Sequence, residues 1–226
     1  MNTRKALVCV LPCLATLVGT GALAESCAYL GASENFNSIA YCVSSVLSSQ
    51  AGNSYGPENL FDFERSTAWC EGARGSGTGQ VLTLRIDGGG PFRRLLIENG
   101  YGKSDRVFYR NARPRTIEIR TDTGLNFRHV LEDRWNERWV ELPSAGQYRV
   151  LQIRVLDVYT GTHFQDMCIS TILVDFDHER YLEWQKEGLK PQQSPPMPDK
   201  TSEPSWPSDI PSERPGFEDL PALPKL

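Results

Sequence analysis

The sequence predicts an all-β sandwich followed by a short C-terminal helix and a disordered tail, and three observations carry that expectation. Apolar side chains alternate with polar ones through the middle of the chain: Leu82, Leu84 and Ile86 around Thr83 and Arg85, Ile117 and Ile119 around Glu118, and Leu151, Ile153 and Val155 around Gln152 and Arg154. Such period-2 patterning places one set of side chains on one face of a strand. Turn-forming residues cluster between these runs, at 72–79, 87–91, 122–124, 143–146 and 160–162. That is the spacing of short strands folded into a sandwich or barrel. No helical periodicity of useful length occurs before residue 177.

From the N-terminus, residues 1–24 open on Arg4 and Lys5, run through an apolar stretch at 6–18 and close on Ala22, Leu23 and Ala24. A positive start, a short apolar middle and small residues before a cleavage point describe a secretory signal peptide. Pro12 and the short run argue against a retained span, which needs about 20 apolar residues. The expectation is a chain exported to a periplasm or beyond, with no membrane insertion. The net charge is −4, and losing Arg4 and Lys5 makes the remainder more acidic. That balance argues against general binding of nucleic acid or anionic membrane. Export also removes the supply of ATP that a kinase or motor needs.

Residues 27–176 are expected to form the single domain. Apolar runs at 94–98, 138–142 and 168–174 supply further strands. Asp177 then caps a short helix within 177–190, ending near Glu187 with Gly188 as the stop. Tyr181 and Trp184 share one face of it, to pack on the sandwich. Residues 191–226 hold ten of the fifteen prolines and more acids than bases, the composition of a disordered spacer or tail.

Of six cysteines, Cys9 and Cys13 leave with the leader. Cys27, Cys42, Cys70 and Cys168 remain, an even set in an exported chain, which reads as two disulfides. Four cysteines allow three pairings. The favoured one joins Cys27 to Cys42, tying down an N-terminal arm, and Cys70 to Cys168, closing the first and last strands. A zinc site is disfavoured, since no pair has C-x-x-C spacing and no histidine lies near two cysteines.

Three segments, in order, resemble a known family. The first is Ser44-Ser45, then Tyr55-Gly56-Pro57-Glu58-Asn59-Leu60-Phe61-Asp62, leading to Thr67-Ala68-Trp69-Cys70-Glu71-Gly72 and the glycine run to Gln80. The second is Ile97-Glu98-Asn99-Gly100-Tyr101-Gly102-Lys103-Ser104, continuing to Tyr109-Arg110-Asn111-Ala112-Arg113-Pro114-Arg115. The third is Asp157-Val158-Tyr159-Thr160-Gly161, ending in Asp166-Met167-Cys168-Ile169-Ser170. Together they are similar to the NADase-type glycan-binding domain, a discoidin-like (F5/8 type C) module named for the translocation domain of a secreted streptococcal NAD glycohydrolase. The resemblance covers about residues 40–175. It implies a jelly-roll sandwich, galactose-binding-like, whose end loops bind carbohydrate. It does not imply NAD hydrolysis, which in that toxin belongs to a separate domain. Related sandwiches carry an acid directly after the serine of the last strand, and with the aspartate corresponding to Asp62 it helps hold a structural Ca²⁺. Here that position is Thr171, which leaves a calcium site, with Asp62 as its candidate ligand, in question.

Sugar sites combine an apolar wall with a few placed polar groups. On that basis the expected site comprises Tyr101, Lys103, Tyr109, Arg110 and Asn111, with Trp69, Glu71 and Tyr159 at its margin. Glu71 is expected to face solvent, opposite Cys70. Trp69 reads more readily as a core residue than as a sugar platform, and Asn99 as a loop brace. Lys103, Arg106, Arg110, Arg113 and Arg115 outnumber Asp105 in this stretch; arginine forks suit carboxylate and sulfate, which points to an acidic or sulfated glycan. The competing reading pairs Arg113 and Arg115 with surface acids.

Two other classes stand beside the non-catalytic glycan binder. A protein-interaction module would use the same loops, with the proline-rich tail reaching a second partner. A glycan hydrolase would need two carboxyls across the scissile bond, for which Glu71 and Asp166 are the candidates, or a general base, for which His163 beside Asp166 is the candidate. No nucleophile elbow or His-Glu-x-x-His occurs. The glycine run at 72–79 lacks the Gly-Lys-Ser/Thr and following helix of a phosphate loop.

Overall fold

The computed structural model describes residues 25–188. The expected leader (1–24) and tail (191–226) lie outside the described residues. Among those described, the strands are β1 (Ser26–Leu30), β2 (Ser38–Val43), β3 (Trp69–Cys70), β4 (Val81–Asp87), β5 (Phe92–Asn99), β6 (Arg113–Thr121), β7 (Asn126–Val130), β8 (Glu137–Gly146), β9 (Val150–Tyr159) and β10 (Cys168–Asp175). Helix α1 (Asp105–Arg110) follows β5 and helix α2 (Asp177–Lys186) follows β10. The chain divides into two units after Glu183, and of the second only residues 184–188 are described.

The strands form two antiparallel sheets, one in the order β1-β2-β4-β9-β6-β7 and one in the order β3-β10-β5-β8. The alternating residues do what their period dictates. Leu84, Ile119, Leu151 and Ile153 of the larger sheet face Leu95, Ile97, Val140 and Ile172 of the smaller one in a single core, with Tyr41, Trp69 and Phe92 among its largest members. Two sheets sharing one core in this way make a β-sandwich.

Two strands that alternation does not reveal complete the larger sheet. In β2 residues 39–43 are all buried, so the strand reads as a run without a period. Strand β1 is an edge, half exposed, and its register puts Cys27 directly opposite Cys42. That pair is a disulfide, as is Cys70–Cys168, which joins directly opposed residues of β3 and β10. Both favoured pairings are therefore present, and they belong to a chain that folds outside the reducing cytoplasm. No helix among the described residues is long and apolar enough to cross a membrane.

One helix was not anticipated, and one helical expectation needs correction. Helix α1 does occur before residue 177. It is too short to show a period and is signalled only by its cap, the Ser104 hydroxyl accepting from the Val107 N–H at 3.3 Å. At α2 the capping side chain is Asp175, not Asp177: its Oδ1 accepts from the N–H groups of Asp177 and His178, each at 3.1 Å. Asp177 pairs with Arg180 instead. The helix is tied to β5 through Glu179, 2.9 Å from Arg93 Nε, and His178, 2.8 Å from an Arg94 terminal nitrogen. Tyr181 is 46% exposed, and no residue of α2 is fully buried.

Candidate functional site

The site is assembled by the turn that follows β5. Gly100 has φ +72°, and a Cβ there would stand 2.5 Å from the Phe108 ring, so only glycine allows this close turn. The turn delivers Tyr101, Gly102 and Lys103 to one end of the sandwich. Tyr101 is buried. Its hydroxyl donates to the Ser66 carbonyl at 3.1 Å and its ring meets Tyr55 edge-on at 6.4 Å. With Ala68 and the Cys70–Cys168 bridge these rings form a small apolar cluster, apart from the main core, against which Leu47 and Val107 pack.

An open depression of about 330 Å³ lies over this cluster. Its walls are Leu47, Tyr55, Tyr101, Val107 and Phe164, and its polar lining is Gln50, Asn53, Lys103, Asn111 and Asp166. The Phe164 wall is positioned by the end of α1. Carbonyls in the last turn of a helix lack intrahelical partners, and the loop after β9 supplies them. Tyr109 O accepts from Thr162 N and Oγ1 at 2.9 and 3.1 Å, and Arg110 O accepts from the N–H groups of His163 and Phe164 at 3.1 and 2.8 Å. Asn111 closes the helix by donating from Nδ2 to Val107 O at 2.8 Å. Gly161 sits so close beneath that a Cβ would lie 2.3 Å from Phe164 O.

Of the residues expected from sequence, Tyr101, Lys103 and Asn111 line the depression. Lys103 is exposed, its Nζ 3.5 Å from Asn53 Oδ1. Arg110 stands behind the wall with its guanidinium 5.0 Å over the Phe164 ring. Tyr109 is 47% exposed, set edge-on to Phe108, and does not line it. Tyr159 also lies outside; half-buried, it donates its hydroxyl to Leu131 O at 3.0 Å. Trp69 is in the core with its Nε1 donating to Ser45 O at 3.0 Å, as its more ordinary reading anticipated. Asn99 braces the chain by donating to Pro114 O at 2.8 Å.

Glu71 corrects the sequence reading. Alternation alone would turn it to solvent, yet it is fully buried. Its Oε2 accepts from Ala73 N at 2.8 Å and its Oε1 from Met167 N at 3.5 Å, which ties the glycine loop to the start of β10. Burial pushes its carboxyl above the usual range, the two backbone amides oppose that, and the charge of Asp166 adds to it. Glu71 does not line the depression, so it and Asp166 do not flank a common opening. His163 is exposed and packs on the Phe164 ring at 4.7 Å.

Two members of the basic stretch are spent on the scaffold. Arg113 is buried, doubly bonded to Asp133 at 2.5 and 2.7 Å and covered by the rings of Phe108 and Tyr109. Arg115 pairs with Asp157 at 3.3 Å. One cation, Lys103, and one anion, Asp166, line the depression itself. Sequence reasoning overlooked Leu47, Gln50, Asn53 and Phe164. Their segments carry no alternation, and only folding brings the two loops beside α1.

At the position where a calcium site was left in question, the side chains present are engaged within the protein. A hard cation needs several oxygen ligands. Both oxygens of Asp62 brace their own turn, accepting from Glu64 N at 2.9 Å and Thr67 Oγ1 at 2.7 Å. Thr171 donates its hydroxyl to Glu98 at 2.8 Å. Among the described residues the one group of three acid, His or Cys ligand atoms close together is Glu25, Cys27 and Cys42, and its two sulfurs form a disulfide.

A family model described as the NAD glycohydrolase translocation F5/8 type C domain matches residues 33–175. Among solved structures, the chain is similar to the family 32 carbohydrate-binding module of Clostridium perfringens NanJ in complex with galactose, at 15% identity and TM-score 0.45 over 60% of this chain and 92% of that one. A second Clostridium perfringens family 32 module, in complex with GalNAc-β-1,3-galactose, matches at 12% identity and TM-score 0.44 over 60% and 94%. The mycobacterial arabinofuranosyltransferase AftD matches at 13% identity and TM-score 0.46 over 66% of this chain, which spans 11% of that enzyme's length. No curated protein matches.

Proposed function

The chain belongs to the NAD glycohydrolase translocation F5/8 type C domain family, and from that premise we propose that it is an exported, non-catalytic module that binds a glycan in the depression beside α1. The observation that carries this reading is the composition of that depression. Aromatic and aliphatic walls from Tyr55, Tyr101, Val107 and Phe164 suit the C–H face of a pyranose, while amides, an ammonium and a carboxylate at the lining suit its hydroxyls. An acidic or sulfated glycan would meet Lys103 alone, opposed by Asp166, so the balance of the lining favours an uncharged sugar. Residues 1–24 act as the leader in this reading, and N-terminal sequencing of the exported protein should begin at Glu25.

A glycan array holding neutral, sialylated and sulfated sugars tests the proposal. The expected result is binding to a defined set of neutral glycans, reduced at least tenfold by Phe164→Ala, which removes the exposed wall and leaves the buried cluster intact. Binding that Phe164→Ala and Lys103→Ala both leave unchanged would move the site elsewhere. Absence of any glycan ligand would end the reading.

A further inference from the structure

The corner where related sandwiches are implied to hold calcium contains a buried carboxylate and its own cation. Glu98, on β5, stands directly opposite Thr171 on β10. It is only 5% exposed, and a carboxylate at that depth needs a countercharge. Thr171 donates a hydrogen bond to Oε2 at 2.8 Å, and Arg65 Nε stands 3.2 Å from Oε1 as an ion pair. The Arg65 guanidinium also lies 5.5 Å over the Trp135 ring. Arg65 belongs to the turn that Asp62 braces from within. That turn is tied onward to the depression: Ser66 O accepts from Tyr101, and Ser170 Oγ donates to Thr67 O at 3.2 Å while accepting from Gly102 N at 2.9 Å.

We infer that Arg65 is the built-in cation of this corner, anchoring the 62–67 turn to Glu98 so that this end of the sandwich folds without calcium. The substitution is consistent in charge. Thr171 brings no carboxylate to the last strand, the remaining buried acid sits on the neighbouring strand, and a guanidinium from the turn neutralises it. The Arg65 Nε pairs with Glu98 Oε1 while its guanidinium lies over the Trp135 ring, and a hydrated divalent ion does not lie on a ring in that way. The consequence for the molecule is that the floor under Tyr101 is set by covalent sequence and is insensitive to external calcium.

Thermal melts of the exported chain in chelator and in millimolar calcium chloride test this, together with titration calorimetry using calcium alone. The wild type is expected to give the same Tm in both buffers and no binding heat. Arg65→Ala is expected to melt about 2–4 °C lower, equally in both, and Arg65→Lys to recover part of that loss. A calcium-dependent rise of the wild-type Tm, a saturable calcium heat, or an Arg65→Ala Tm equal to wild type would each overturn the inference. None of these readouts depends on whether the depression binds a glycan.

Discussion

Tyr41 illustrates what single residues contribute and what they cost. Its ring is fully buried in the core beside Phe61, and its hydroxyl has no hydrogen-bond partner among the described residues. A buried unsatisfied polar group costs about 1–3 kcal/mol, so Tyr41→Phe is expected to raise stability in a urea titration by about 1 kcal/mol; a loss of that size would show that the hydroxyl is satisfied. Glu71 makes a pH prediction. Its folded pKa lies above the ordinary 4.5 because burial penalises the charge. Between the unfolded and folded values the native state therefore binds more protons, and stability falls as pH rises through that window. Glu71→Gln removes this slope, so Tm measured from acid to neutral pH should decline more steeply for the wild type than for the variant. Sequence could not show that Glu71 is buried. Alternation assigns a face, while the loop that closes over that face comes from 72–79 and from the start of β10, far away in the chain.

At the level of elements, the two disulfides make unequal contributions. Cys27–Cys42 closes a short interval of 15 residues and Cys70–Cys168 one of 98. Loop-closure entropy gives about 3 and about 4.7 kcal/mol respectively. Serine replacement of each pair should therefore cost more stability for the second, which also floors the depression; a reversed order would contradict the entropic account. Gly161 governs the wall. With no room for a Cβ against Phe164 O, Gly161→Ala should displace the Phe164 loop and weaken glycan binding more than it lowers Tm. Strands β4, β6 and β9 were legible because their apolar residues alternate with polar ones, even though Thr83 and Glu118 on the polar faces are buried as well, and so were the cysteine pairs. Strand β2, buried throughout, and α1, a single capped turn and a half, leave no period to read. Their existence is decided by tertiary partners: β1 and β4 on either side of β2, and the 160–166 loop against the carbonyl end of α1.

For the molecule as a whole, the sandwich was legible because strand alternation, turn spacing and the ordered motifs agree, and the family model covers that same core. The depression was legible only in part. Tyr101, Lys103 and Asn111 follow one another closely after β5, whereas the residues that complete the depression come from the loop after β2 and the loop after β9. Of the basic residues in 99–115, Arg113 and Arg115 pair with Asp133 and Asp157, and Lys103 lines the depression. The most direct test is an amide and side-chain NMR titration of the exported chain with a sugar that binds it on an array. The account predicts shifts concentrated at Gln50, Asn53, Lys103, Asn111, Phe164 and Asp166, with the outer faces of both sheets unmoved. Shifts centred on either sheet face, with that group of residues silent, would contradict it.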